Sequence, residues 1–164
     1  MLLNSKQVSE HVIESDYSKK TQIGIDLSVK SIQKINTKSV VFRDNTFIDP
    51  TGYIDIPTVQ IDGRECWNLE PGVYSVTFNE GVRIPDNCAA IIKHRSSLYR
   101  TGTSISSPWW DPGFHCENMN TTMVSENGIV IEKNSRLAQI AFWECAPVDE
   151  TYNGQWQGLS TAHK

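Results

Sequence analysis

Arg95 and Arg100 stand five residues apart with Ser96 and Ser97 close behind the first, and Asp111-Pro112-Gly113-Phe114 begins eleven residues after Arg100. Guanidinium forks and hydroxyls form a donor cluster suited to phosphate or carboxylate. An Asp on a Pro-Gly turn adds an acceptor that can orient a water or a sugar hydroxyl. Polyanion donors beside a lone carboxylate point to recognition or hydrolysis of a nucleotide. Two blander readings stand next to this one: a solvated turn with a buried arginine ion pair, and an Asp that only caps its own backbone.

Several elements must position these residues. An apolar strand over residues 88–93 leads into Arg95, and IGIDLSVKSIQKI alternates well enough for a second strand. That strand carries Asp26 between Ile25 and Leu27, as either a satisfied structural acceptor or a group that helps hold the site. VYSVTF and VRIP, joined by Asn79-Glu80-Gly81, read as a hairpin. Residues 119–145 supply three more strands, in which Arg136 and Gln139 fall on different faces unless a bulge re-aims them. Ahead of all this, Asn4 or Ser5 caps a short helix with Val8, Val12 and Ile13 on one face. Residues 43–66 read as irregular, with a turn at Asp49-Pro50-Thr51-Gly52 and an edge strand over 53–61 interrupted by Pro57. Short strands with Gly, Pro and Asn between them argue an all-β sandwich or barrel. The expectation is one domain over residues 1–145 and a mobile tail over 146–164 whose Tyr152, Gln155, Trp156 and Gln157 are chemically rich for a chain end.

A chain of 164 residues buries one core. The net charge of −4 argues against nucleic acid as the main partner. Cys66, Cys88, Cys116 and Cys145 are widely spaced without a CxxC, which predicts reduced thiols and a cytoplasmic protein. No apolar run approaches bilayer length, so no membrane partner is expected. His115-Cys116-Glu117 imitates the start of a zinc deaminase site, but only Cys145-Ala146-Pro147 follows where a Pro-Cys-x-x-Cys is required. Of Trp109 and Trp110, at most one faces a ligand, because neighbouring strand residues point to opposite faces.

The RSSLYR and DPGF segments resemble the trimeric dUTPase and dCTP deaminase superfamily. The likeness continues in order through MLLNSKQV with IGIDLSV, LEPGVYSVTFNEGVRIP, SRLAQIAFWE and YNGQWQG, in the style of the deaminase-type branch. The resemblance implies a distorted jelly-roll-like β-barrel with a short N-terminal helix. It further implies a homotrimer with sites at the subunit boundaries, a deoxypyrimidine triphosphate substrate and Mg²⁺ bound through the phosphates. Ser96, Arg100, Arg136 and Gln139 then serve the triphosphate, with Arg95 and Ser97 completing the donor cluster. Asp111 orients the attacking water, Phe114 excludes a ribose hydroxyl and Trp109 stacks on the base. Tyr152 and Gln157 close a lid, and Asp26 holds the site or reaches a metal-bound water. Backbone groups of the hairpin read the base. The implied reaction is hydrolysis of dUTP to dUMP and pyrophosphate.

Four departures qualify the resemblance. The deaminase Glu falls on Thr121 counted from Asp111 or on Asn120 counted from Gln139, with Glu117 the nearest carboxylate. Trp109 replaces an arginine of many deaminases, and Gln155 stands where a lysine is common. The glycine-rich arm of dUTPases is absent. Deamination of dCTP and an inactive nucleotide-binding relative are therefore the alternatives.

Overall fold

The computed structural model describes residues 1–36, 38–44, 47–48 and 52–158. Asn4 opens helix α1 (Ser5–Ser9) with a full capping box, its side chain accepting from the Gln7 N–H while Gln7 accepts from the Asn4 N–H. Val8 is buried as expected, but Val12 and Ile13 leave the helix and form strand β1 (Val12–Ile13). The chain turns at Glu10, whose N–H reaches the Gln7 carbonyl, and the His11 carbonyl is taken by Arg83.

Strands β2 (Lys19–Lys20) and β3 (Ile25–Ile35) follow. Strands β4 (Val40–Val41), β5 (Phe47–Ile48), β6 (Tyr53–Asp55), β7 (Val59–Ile61) and β8 (Arg64–Leu69) form an excursion from the barrel. Pro57 splits residues 53–61 between two sheets, β6 joining β3 and β7 lying at the edge of a separate sheet. The turn read at Asp49-Pro50-Thr51-Gly52 lies largely outside the described residues. Residues 64–66 are not irregular: they open β8, which pairs with a strand more than sixty positions away.

The second half supplies β9 (Gly72–Phe78), β10 (Gly81–Arg83), β11 (Cys88–His94) and helix α2 (Ser96–Tyr99). After these come β12 (Thr103–Ser106), β13 (His115–Cys116), β14 (Asn120–Ser125), β15 (Ile129–Glu132) and β16 (Arg136–Glu144). Strands β16, β11, β12, β14, β9 and β3 pair in that order, and β3 pairs back with β16 to close a six-strand antiparallel barrel. Closure leaves no free edge on these six. Alternate residues fill the interior: Ile25, Leu27 and Val29 from β3, Val76 and Phe78 from β9, Ala90 and Ile92 from β11, and Ile140 and Phe142 from β16.

The expected hairpin of VYSVTF with VRIP does not form. Strand β9 runs in the barrel, whereas β10 pairs with β1 and β13 in a three-stranded sheet. The corner between them is set by Glu80, fully buried, whose carboxylate accepts hydrogen bonds from the hydroxyls of Ser15, Ser18 and Ser28 and from the Ser28 N–H. Gly81 then lets two backbones meet, since a Cβ there would lie 2.5 Å from the Glu117 carbonyl oxygen. All four cysteines are free thiols, and burial pushes that of Cys116 up to about 12.

Glu80→Ala leaves three hydroxyls and an N–H without their acceptor. It should lower stability by about 3 kcal/mol or more in urea unfolding. A loss below about 1 kcal/mol would mean that the corner is held by something else.

Candidate functional site

One group of predicted residues gathers where β3, β11 and β16 meet. Ile25 and Leu27 face the core, so Asp26 between them points to the outer face of the barrel. Strand β16 contains a bulge: Arg136 lies opposite Ser28 and Ala138 opposite Leu27, which makes Leu137 the extra residue. In a regular register Arg136 would fall opposite core-facing Val29. The bulge instead puts it on the outer face with Gln139, which lies opposite Asp26. Arg95 Nε and Arg136 Nε stand 3.1 and 3.7 Å from Asp26 Oδ2. Arg95 also donates through Nη1 to the Arg136 carbonyl at 3.0 Å and through its N–H to the Leu137 carbonyl at 2.9 Å. Burial pushes the Asp26 carboxyl above its ordinary range, and the Arg95, Arg136 and Lys19 charges pull it back part of the way.

The RSSLYR segment thus divides in two. Arg95 is a half-buried ion-pair partner, whereas Ser96, Ser97 and Arg100 are exposed on and just after α2. Gln139 donates from Nε2 to Thr21 Oγ1. His94 stacks on Tyr99 at 5.4 Å and accepts from the Ile105 N–H, which marks it as a structural residue.

A second group surrounds a cavity of about 400 Å³ at the Asp-Pro-Gly-Phe turn. Asp111, Phe114, Trp109 and Tyr152 line it together with Trp110, Trp156, Asn118 and Asn120. The turn is closed by the Phe114 N–H donating to the Asp111 carbonyl, with Gly113 at φ +83°, so the exposed carboxylate is not what holds it. Trp110 pairs with Ala90 and is buried, while Trp109 is 58% exposed and sits edge-on to Trp143 at 5.7 Å. The two indoles do diverge, yet both reach the cavity wall. Phe114 bridges Trp110 and Tyr152 through edge contacts of 5.1 and 5.3 Å.

Residues 152–157 dock on this same turn. Tyr152 donates its N–H to the Pro112 carbonyl, and the Gln157 amide accepts from the His115 N–H at 3.0 Å and donates to the Gly113 carbonyl at 2.9 Å. A Cβ on Gly113 would stand 2.7 Å from Thr151 Cβ, so the missing side chain leaves room for the tail.

The structure does not bring the two groups together within one chain. Trp110 is bridged to Ala90 near the start of β11, and Arg95 follows its end. Five residues of strand separate them by roughly 16 Å, and Asp111 continues away from α2.

Register also decides between the two positions counted for a deaminase carboxylate. Thr121 lies opposite core-facing Val76 and is buried, its hydroxyl without a partner among the described residues. Asn120, opposite Thr77, is on the outer face and lines the cavity. Glu117 is exposed and 3.8 Å from Arg83. Trp156, Asn118 and Asn120 were not among the predicted site residues; the tail's aromatic content pointed to the first, the count from Gln139 reached Asn120, and Asn118 had no signal in the sequence. Among the described residues no three His, Cys, Asp or Glu side chains gather into a metal cage.

A family model described as dCTP deaminase-like matches residues 3–145. The chain belongs to the dCTP deaminase-like family. Within this family it is 32% identical over 160 residues to a protein of Methanosarcina acetivorans named probable deoxyuridine 5'-triphosphate nucleotidohydrolase, covering 94% of this chain and 92% of the relative. It is 37% identical over 137 residues to the deoxyuridine 5'-triphosphate nucleotidohydrolase of Methanocaldococcus jannaschii, covering 84% and 86%. The barrel superposes on the 2'-deoxycytidine 5'-triphosphate deaminase of Agrobacterium tumefaciens with a TM-score of 0.61 at 17% identity. That likeness is one of fold; it covers 86% of this chain and 47% of the other. No helix among the described residues is long and apolar enough to cross a membrane.

Asp26 gives a signed test. Its folded pKa is raised, so the native state holds this proton more tightly than the unfolded chain, and its contribution turns against folding as pH rises through the interval above 3.8. Urea unfolding of wild type and Asp26→Asn between pH 4 and 7 should show the difference shifting against wild type as pH increases. A difference that moves in favour of wild type would mean that the two guanidiniums outweigh burial.

Proposed function

We propose that this chain is a deoxynucleoside triphosphate pyrophosphohydrolase that converts dUTP and water to dUMP and pyrophosphate, supplying dUMP in nucleotide metabolism. The observation that carries this reading is Asp111, the one carboxylate among the described residues lining an aromatic-walled cavity, where Asn120 presents an amide. Release of ammonia from C4 needs an acid–base group beside the ring, and an amide does not exchange protons in that way. The names borne by the two archaeal relatives support the same substrate.

The separation of the two groups along β11 gives the active form a requirement. One triphosphate reaches both Asp111 and the Arg95–Arg100 donors only if they come from different copies, which fits a homotrimer with a site at each subunit boundary. In that site Asp111 accepts a hydrogen bond from a water and aims its lone pair at the α-phosphorus. A bond forms from this water to phosphorus, its proton passes to Asp111, and the bridging P–O bond breaks to release pyrophosphate. Ser96, Ser97, Arg100, Arg136 and Gln139 donate to the phosphoryl oxygens as their charge grows, and fixed donors of this kind supply much of the rate. Asp26 holds Arg95 and Arg136 in place for this task. Phe114 packs under the sugar, Trp109 covers the base, and Tyr152 and Gln157 keep the described part of the tail, residues 146–158, against the turn as a lid.

The donor set fits a nucleotide that arrives with Mg²⁺. With no cage of acidic side chains among the described residues, phosphate oxygens would hold the ion and Asp26 would accept from one of its waters. When bound, Mg²⁺ supplies neutralising charge on those oxygens.

The test is a panel of dUTP, dCTP and dTTP with Mg²⁺ in which pyrophosphate and ammonia are both measured. dUTP should yield pyrophosphate without ammonia. Asp111→Asn should bind dUTP as wild type does and lose about 10²- to 10⁴-fold in turnover. Equal turnover removes Asp111 from its role, ammonia from dCTP makes the chain a deaminase, and binding with neither product makes it a nucleotide-sequestering relative.

A further inference from the structure

The cavity beside Asp111 is lined by two side-chain amides, Asn118 and Asn120, which are held by different partners. Asn118 donates from Nδ2 to the Phe78 and Asn79 carbonyls at 3.0 and 3.1 Å, and its Oδ1 accepts from Lys30 Nζ at 2.9 Å. It is committed to holding the chain. Asn120 is held at both ends: Nδ2 donates to Ser75 Oγ at 2.9 Å and to Thr77 Oγ1 at 3.0 Å, and Oδ1 accepts from Ser75 Oγ at 3.2 Å. Both hydroxyls are buried on the same outer face of the sheet, Thr77 directly opposite Asn120 and Ser75 two residues away on the same strand. The amide's donors are thereby used, and Oδ1, with one of its two lone pairs taken by Ser75, keeps the other for a ligand.

A fixed acceptor in a cavity walled by Trp109, Phe114 and Tyr152 selects among pyrimidines by where their donors lie. Uracil carries a hydrogen on ring atom N3, whereas cytosine presents a bare lone pair there and donates from its exocyclic amine. An acceptor facing N3 therefore attracts uracil and repels cytosine, and burying two facing acceptors costs more than a hydrogen bond gains.

We infer that Asn120, held by Ser75 and Thr77, is the side chain that selects uracil over cytosine by accepting the N3 hydrogen. This assigns base reading to a side chain rather than to the hairpin backbone alone. It rests on the dUTP reading of the same cavity.

Binding of non-hydrolysable α,β-imido analogues of dUTP and dCTP separates this inference from the catalytic one, because it needs no turnover. Wild type should bind the uracil analogue at least about tenfold more tightly than the cytosine analogue. Asn120→Ala and Asn120→Leu should bring the ratio to within about threefold. The unmodified protein supplies a check that needs no variant: an N3-methyl uracil analogue should bind at least about tenfold more weakly than its parent. An unchanged ratio in the Ala and Leu variants, a wild-type preference for cytosine, or an N3-methyl analogue bound as well as its parent would overturn the assignment. If these ratios hold but dUTP yields no pyrophosphate, the hydrolase reading fails and the base reader stands.

Discussion

The constraint on which this structure depends is the span of β11. It is locked on both sides, to β16 along its whole length and to β12 near its end, so its ends cannot approach each other. At one end the Ala90–Trp110 bridge fixes the carboxylate turn; at the other, Arg95 is anchored to Leu137 and Asp26. Each pole is well organised, and under the proposed function neither is sufficient for a triphosphate. The barrel that makes both poles rigid also keeps them apart, and under the proposed function only a second copy can unite them.

Local irregularity does the fine positioning at each pole. On β16 a single extra residue moves Arg136 off the core face and beside Gln139, turning a strand into a two-donor platform. At the turn, Gly113 combines a left-handed backbone with the absence of a Cβ, and the tail occupies the space that this leaves. Both devices are single-residue departures from regular geometry within an otherwise tightly paired sheet. They change where functional groups point without disturbing the core.

Much of this was legible in the sequence where a signal is local. An apolar run marked β11, turn residues delimited β14, β15 and β16, the Asn4–Gln7 spacing marked the capping box, and the possibility of a bulge between Arg136 and Gln139 followed from the pleat. What failed depended on distant partners. The Asn79-Glu80-Gly81 segment has hairpin chemistry, but the carboxylate of Glu80 finds Ser15, Ser18 and Ser28 and carries the chain into another sheet. Strand β8 lacks clean alternation because its order is supplied by β7 and β15. Counting alone left Asn120 and Thr121 tied, since a shift of one residue exchanges the faces of a strand. Their pairing with Thr77 and Val76 separates them.

The most direct test of the divided site is complementation between two inactive variants. Asp111→Asn lacks the carboxylate pole and Arg100→Ala weakens the guanidinium pole, so each alone should hydrolyse dUTP poorly. After the two are co-refolded in equal amounts, random assembly leaves one site in four with both wild-type poles, and about a quarter of the wild-type rate should return. A mixture no more active than its parents would contradict a site built from two copies.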